Sequence, residues 1–440
     1  MNKKEIGKLL GIDTKKYDIL SINEFKKDDK TYMDIYIDKK TKNAKCPICG
    51  LVSISRRDKL KYSFVNHGYV KFYHCRLVFR KQRYFCKQCK KKFTEEYDIV
   101  CKKAKTSNLL RIEIRKKLLN INLTLKEIAK QCGVSDTDIK NELIEIMEDY
   151  PKIKSLKGVK VLSFDEYSAD TDFGKYACII NDPINKKTLD ILETRKKDYL
   201  KNYFIDVEDR DSVEYVVSDM YDAYLSITKQ LFKNAKYVVD RFHYVKCITF
   251  ALDNVRRRIE KYFPVNTKEY KILKKRRNAN LYRKHGKNVD WFKPMKYYQN
   301  KRTIMKLPGD ILREMYDVHP DIKTAYDLKE LFLDIVEECT YENSEEELKT
   351  WIALCQESKI EEFIEASNTI SNWLEYICNS FIDRSITNAF TEGRNNQIKI
   401  LKRVSNGFGT FKYMRARLLY IFNDKLINKT TPKKSTKSKN

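Results

Sequence analysis

Two cysteine pairs of identical spacing, Cys46-Pro-Ile-Cys49 and Cys86-Lys-Gln-Cys89, constrain this chain more than any other feature. A CxxC turn presents two sulfurs from one knuckle, and two such turns supply the four soft thiolates that tetrahedral zinc takes. Four thiolates leave no open coordination position, so zinc here is expected to be structural. The 36 residues from Gly50 to Phe85 exceed what a compact finger needs. They contain strand-like stretches, YVKFYHCRLVF and KQRYF, and so predict a ribbon with a knuckle at each end. His74 and Cys75 fall mid-strand without a partner at knuckle spacing and are set aside as ligands.

Charge narrows the partner. Eighty-nine Lys and Arg against sixty-one Asp and Glu leave a net +28 and a pI near 9.4. A surface of that kind has a polyanion to meet, either nucleic acid or an anionic membrane. No apolar run approaches the ~20 residues that span a bilayer. The N-terminal MNKKEIGKLLGIDTKKYD also lacks the apolar core and cleavage site of a signal peptide. The expected compartment is the cytoplasm, with nucleic acid rather than membrane as partner. An apolar fraction of 42% is ordinary for globular chains and 440 residues allow several domains.

Residues 16–38 read as two alternating strands, YDILSINEF and TYMDIYID, with a polar turn around Lys27–Lys30. From Lys105 to Met147 the apolar period becomes helical, and Tyr150-Pro151 reads as a linker. Three strands follow, VKVLSFDE, YACIIND and TLDILET. The order then runs helix KDYLKNYF, strand VEYVVSD, helix MYDAYLSITKQLF, strand AKYVVD. That is an α/β order. Residues from about Tyr244 to Asn379 read as helices broken near Pro264, Pro294, Pro308 and Pro320. Ser385 to Asn423 form a last helical block before a lysine-rich tail, 425–440, expected to be disordered.

Within the first helical stretch, TLKEIAKQCGVSDTDIK at 124–140 has the pattern of a helix-turn-helix. Thr124 with Glu127 forms a capping box, Gly133 permits the tight turn, and Ser135 caps the second helix. That second helix is the one expected in the major groove, although Asp136 and Asp138 do not help phosphate binding. Further on, Asp165 and Asp219 each end a predicted strand, and Glu392 lies in a predicted helix. Three converging carboxylates need strong positive charge nearby, which divalent magnesium supplies through oxygen ligands. Two such ions can serve an in-line phosphoryl displacement. Chemistry alone does not select these three among sixty-one acids.

The residues around them do. FDEYS at 164–168, SDMYDAY at 218–224, VDRFHYVK at 239–246 and ALDNVRRR at 251–258 resemble the ISL-three family of bacterial insertion-sequence transposases. TEGRNNQIKILKRVSNGFGTFKYMRARLL at 391–419 is similar to the same family, and CPICG with RKQRYFCKQCKKKF resembles its N-terminal zinc-binding segment. The resemblance implies an RNase H-like catalytic fold with a DDE site formed by Asp165, Asp219 and Glu392, holding two magnesium (or manganese) ions, and interrupted by an all-helical insertion. Asp240 and His243 match a DxxH element of related transposases. They either orient a metal ligand or the scissile DNA, or His243 simply packs at a helix start. Arg394, Lys399, Lys402 and Arg403 share the helical region with Glu392 and are expected to contact DNA phosphates. Arg394 departs from the family, where a hydrophobic residue is usual, and Cys75 is unmatched.

The expected architecture is multidomain α/β. It comprises N-terminal strands and a zinc ribbon (1–104), a helix-turn-helix (105–150), an RNase H-like mixed-sheet core (158–246 and 380–424), an all-helical insertion (247–379) and the basic tail. The expected function is an insertion-sequence transposase that binds terminal inverted repeats and carries out metal-dependent cleavage and strand transfer into target DNA. Joining two ends implies a homodimer or larger assembly near the bacterial nucleoid, with the insertion as a possible interface. A catalytically inactive DNA-binding repressor and a stand-alone RNase H-like nuclease are the alternatives.

Overall fold

The computed structural model describes residues 3–101, 104–299, 302–405 and 410–423. The chain divides into two compact units, residues 1–151 with 396–440 and residues 152–395. The lysine-rich tail lies outside the described residues.

In the first unit a mixed four-stranded sheet has the order Tyr17–Lys27, Lys30–Lys39, Tyr73–Phe79, Ser63–Val70. Asp28 and Asp29 turn the first hairpin at φ 49° and 57°, a left-handed pair that short polar side chains tolerate. The stretch YVKFYHCRLVF, read from sequence as one strand, is instead a hairpin that reverses at Lys71, where φ is 54°. Ile35, Ile37, Leu77 and Phe79 pack beneath it with Tyr97. A small three-stranded sheet, Arg56–Lys59, Gln82–Cys86 and Lys91–Thr94, carries the second cysteine pair. The first pair lies beside the two-residue strands Ala44–Lys45 and Val52–Ser53.

Three helices follow, Asn108–Leu118, Leu125–Cys132 and Asp136–Glu148. Thr124 and Glu127 form a reciprocal capping box, and Gly133 ends that helix at φ 64°. Ser135 and Asp138 form the next box, so Asp138 is occupied in satisfying the backbone of its own helix. Ile114, Leu118, Ile128, Ile139 and Leu143 form the core, joined by Ala416 and Tyr420 from Phe411–Asn423. From the same C-terminal helix the fully buried Arg417 donates to the carbonyls of Leu118, Asn120 and Leu123 at 2.7–3.1 Å. It thereby occupies the Leu118 carbonyl, at the end of the first helix, and two carbonyls of the loop that follows.

The second unit is built on a five-stranded sheet. Its order is Lys187–Leu192, Gly174–Asp182, Val161–Thr171, Tyr215–Ser218, Lys236–Val239. The first three strands are antiparallel neighbours and the last two add in parallel. Helices Lys197–Phe204 and Asp222–Leu231 supply the crossovers. Phe164, Phe204, Val216 and Tyr224 lie in a core that continues without a break into the long helix Arg241–Glu260 and the helices after it.

Among the described residues, the segment 247–379, expected to be all-helical, contains one exception. Met295–Gln299 pairs antiparallel with Arg302–Lys306. The last helical turn before it ends at Asn288, Pro294 keeps a helix from forming up to the hairpin, and the β-branched and aromatic content of KYY and RTI favours strand. The remaining elements are helical, among them Pro308–Tyr316, Pro320–Glu338, Tyr341–Glu357 and Glu361–Asn372. No described helix is long and apolar enough to cross a membrane.

Candidate active site and cysteine cluster

Sheet register brings the acids level with one another. Val161, Leu162 and Ser163 pair in parallel with Tyr215, Val216 and Val217, and Ser218 pairs with Val239. Continuing that register sets Asp165 opposite Asp219, and Asp219 opposite Asp240. Asp219 and Asp240 thus follow the carboxyl ends of their strands, with Asp165 level with them on the neighbouring parallel strand, at the edge where open α/β sheets place ligands. The sequence reading ended a strand at Asp165. Its strand in fact runs on to Thr171, because its other edge stays paired with Gly174–Asp182. What stops just before Asp165 is the parallel pairing.

A helix completes the cluster. Ala389–Ser405 carries Glu392 in its first turn. A carboxylate oxygen of Glu392, a carboxylate oxygen of Asp240 and a ring nitrogen of His243 all lie within 4.8 Å of one another. His243 Nε2 is 2.7 Å from Asp219 Oδ1, which ties the second Asp to that group. Asp165 faces Asp219, and the negative charge of Asp219 raises its pKa. Glu392 therefore joins Asp240 and His243 most closely, with Asp219 linked through His243 and Asp165 beside Asp219.

Buried polar side chains hold this arrangement. Asn395 Nδ2 donates to Asp165 Oδ2 at 2.7 Å and to the Glu166 carbonyl at 3.2 Å. Thr391 Oγ1 accepts from Asn181 at 2.9 Å and shares a 2.7 Å hydrogen bond with Ser163. The Asn388 backbone N–H donates to Asp240 Oδ1 at 2.9 Å. Asn388, Thr391 and Asn395 recur at helical spacing, so one polar stripe fastens the start of the Glu392 helix to the sheet. Sequence reasoning missed these residues. Their signal was polarity at spacings where a core-facing helix would otherwise be apolar.

The electrostatics are strained in one direction. Burial, followed by the charge of Asp219, pushes the Asp165 pKa up to about 7. Burial also raises Asp240, and burial with the neighbouring Asp240 raises Glu392. Burial alone would lower His243, but its hydrogen bond to Asp219 and the charges of Asp219 and Asp240 outweigh that and raise it. Four acids sharing one buried edge favour a proton or a cation among them. Their donors are hard carboxylate oxygens plus one imidazole, a set that fits a divalent cation.

Cys46, Cys49, Cys86 and Cys89 also converge, with all four sulfurs within 4.8 Å of one another. Cys49 Sγ and Cys86 Sγ are 3.6 Å apart, close to the ~3.8 Å edge of a tetrahedron with Zn–S bonds of about 2.3 Å. Backbone N–H groups of Cys49 and Ile48 pull the Cys46 thiol down to about 7. The adjoining Cys49 side chain pushes Cys89 up to about 12. Four crowded sulfurs of this kind ionise together only around a cation, and the cluster fits a zinc ribbon. Cys75 is buried in its strand and His74 bonds to Asn66, both away from that role.

Arg394 is half-buried with its guanidinium 4.8 Å from the Phe390 ring, and burial lowers its pKa. Lys399 and Arg403 are exposed and Lys402 is half-buried; all three belong to the first unit.

No curated protein matches the chain. The profile of the ISL-three DDE family, described as Transposase, matches residues 162–418. That match takes in every acid of the cluster and more than half of the 440 residues, so the chain belongs to the ISL-three family of transposases.

Proposed function

We propose that this transposase binds the terminal inverted repeats of an insertion sequence and cuts and joins DNA at their ends. The observation that carries the reading is the convergence of Asp165, Asp219, Asp240, His243 and Glu392 at one sheet edge within a transposase-family match. The sheet order, three antiparallel strands extended by two parallel ones, supports an RNase H-like core formed by 158–246 and 380–424 and interrupted by the insertion 247–379. Asp165, Asp219 and Glu392 are assigned as the ligands of two magnesium or manganese ions, with Asp240 and His243 beside them. Held by these residues, a metal pair would supply activation of the attacking oxygen and stabilisation of the leaving one.

The chain's own groups prepare the site. His243, whose Nε2 lies 2.7 Å from Asp219, holds a proton close to the acids. Asn395 fixes one oxygen of Asp165 and leaves the other for a ligand or the Glu166 N–H. Burial of the strand ends limits water around the reacting phosphate. The zinc ribbon within 1–104 and a helix-turn-helix within 105–150 are assigned to end recognition, with the basic residues after Glu392 gripping phosphates. The capped pair of helices around Gly133 supports the second assignment. Two ends must be joined, which supports a dimer or larger assembly on DNA.

The test is a magnesium-dependent nicking assay on DNA carrying the element ends. Asp165→Asn, Asp219→Asn and Glu392→Gln are each expected to retain end binding and lose cleavage. Undiminished cleavage by any one of them removes it from the catalytic set.

A further inference from the structure

The insertion carries a concentration of charge that the chemistry at the sheet edge does not use. Residues 268–306 hold fourteen Lys and Arg against Glu269 and Asp290, a net +12 out of the chain's +28. Many of these cations are neutralised where they sit. Arg283 pairs with Asp253 at 2.7 Å, Lys274 with Glu260 at 3.0 Å, and Lys287 with Asp334 at 2.7 Å. Those pairs brace the helices.

A second set is different. Arg276, Arg277, Lys284 and Lys293 line a bay of about 670 Å³ between the helix Arg276–Arg283 and the approach to the hairpin. All four are exposed, and among the described residues none is in an ion pair. Leu281 and Val289 are buried beneath them, and Asp290 is the one acid in the lining. Four unneutralised cations around a concavity repel one another, and low-dielectric walls concentrate their field. Arginine forks match phosphate oxygens in pairs. Phe292, 91% exposed beside Lys293, adds an uncovered aromatic ring next to the bay.

We infer that this bay grips the sugar-phosphate backbone of double-stranded DNA, as a second contact surface separate from the acid cluster and from the N-terminal recognition modules. The spread of four cations over an open concavity suits a run of phosphates rather than one small anion. The inference rests on the reading that the chain acts on DNA.

Fluorescence anisotropy of the full-length, zinc-loaded chain with a labelled random-sequence duplex, over a salt series, tests it. The variant R276A/R277A/K284A/K293A is expected to bind at least about tenfold more weakly at ~0.1 M salt. Its slope of log K against log salt should shrink by about 3–4, since each phosphate contact contributes roughly 0.9. R276K/R277K, which keeps the charge, should keep the slope, and both variants should keep the parent's melting temperature. A parent that binds duplex and a quadruple variant with unchanged slope overturn this surface alone. A parent that binds no duplex at any salt overturns the DNA-acting reading itself. Loss confined to binding of phosphatidylserine vesicles, with duplex binding intact, assigns the bay to membrane and also overturns the inference.

Discussion

The cysteine cluster and the carboxylate cluster are both sets of converging ligands, yet they are built in opposite ways. The four sulfurs come from two short turns within residues 46–89, flanked by strands of two to five residues. Strands so short do not stand alone in water. The carboxylates come from two strand ends, the middle of a third strand and a helix between residues 165 and 392, on a sheet with a large apolar core of its own. The first cluster is therefore expected to depend on a bound metal in order to fold. The second is held in place by the fold and stores repulsion that a cation relieves.

The largest expected effect lies in the cysteine cluster. Structural zinc in small Cys-rich modules contributes roughly 10–16 kcal/mol of binding energy that is also folding energy. Cys86→Ser is expected to abolish zinc retention and open residues 44–59 and 82–94 to limited proteolysis, while 152–395 stays resistant. Metal analysis with proteolytic mapping reads both, and full zinc retention by the variant would break the contrast.

Removing a ligand from the carboxylate cluster should move stability the other way. The Asp165 pKa is about 7 in the folded chain and about 3.9 in an unfolded one. Between those values the folded state holds the extra proton, so Asp165 costs stability progressively as pH rises through that window. In magnesium-free, zinc-loaded protein, Asp165→Asn should stabilise by on the order of 2–4 kcal/mol at pH 8 and by almost nothing at pH 4. Thermal melting at the two pH values checks this. A destabilised variant at pH 8 contradicts it.

A smaller effect is expected at the brace. Asn395→Ala removes the amide that orients Asp165 and leaves the ligands themselves intact. Cleavage should fall by about 10–100-fold at low magnesium, the range for groups that orient metal ligands, and recover in part at high magnesium. An unchanged magnesium dependence would reduce Asn395 to a packing residue.

The same contrast explains what could be read from sequence. The CxxC pairs and the Thr124 and Ser135 caps are local, set by neighbours within a few residues, and spacing suffices to find them. Asp165, Asp219 and Asp240 were visible as acids near strand ends, but selecting them took the family resemblance, because register with neighbouring strands is a tertiary property. For the same reason the continuation of the strand past Asp165 was missed. Asn388, Thr391 and Asn395 were invisible as a set, since their partners lie more than 140 residues away. The hairpin at 295–306 was lost to the surrounding helical periodicity, and only Pro294 hinted at it. The reciprocal cap that Asp138 makes with Ser135 at its own helix terminus was not read from the sequence.

The most direct measurement is the single-turnover cleavage rate of an end-labelled duplex bearing the element's terminal repeat, at saturating magnesium, for the parent chain and Glu392→Gln. Loss of several kcal/mol of transition-state stabilisation predicts a fall of about 10³-fold or more with end binding preserved. Equal rates for the two proteins would contradict the assignment of the carboxylate cluster as the cutting site.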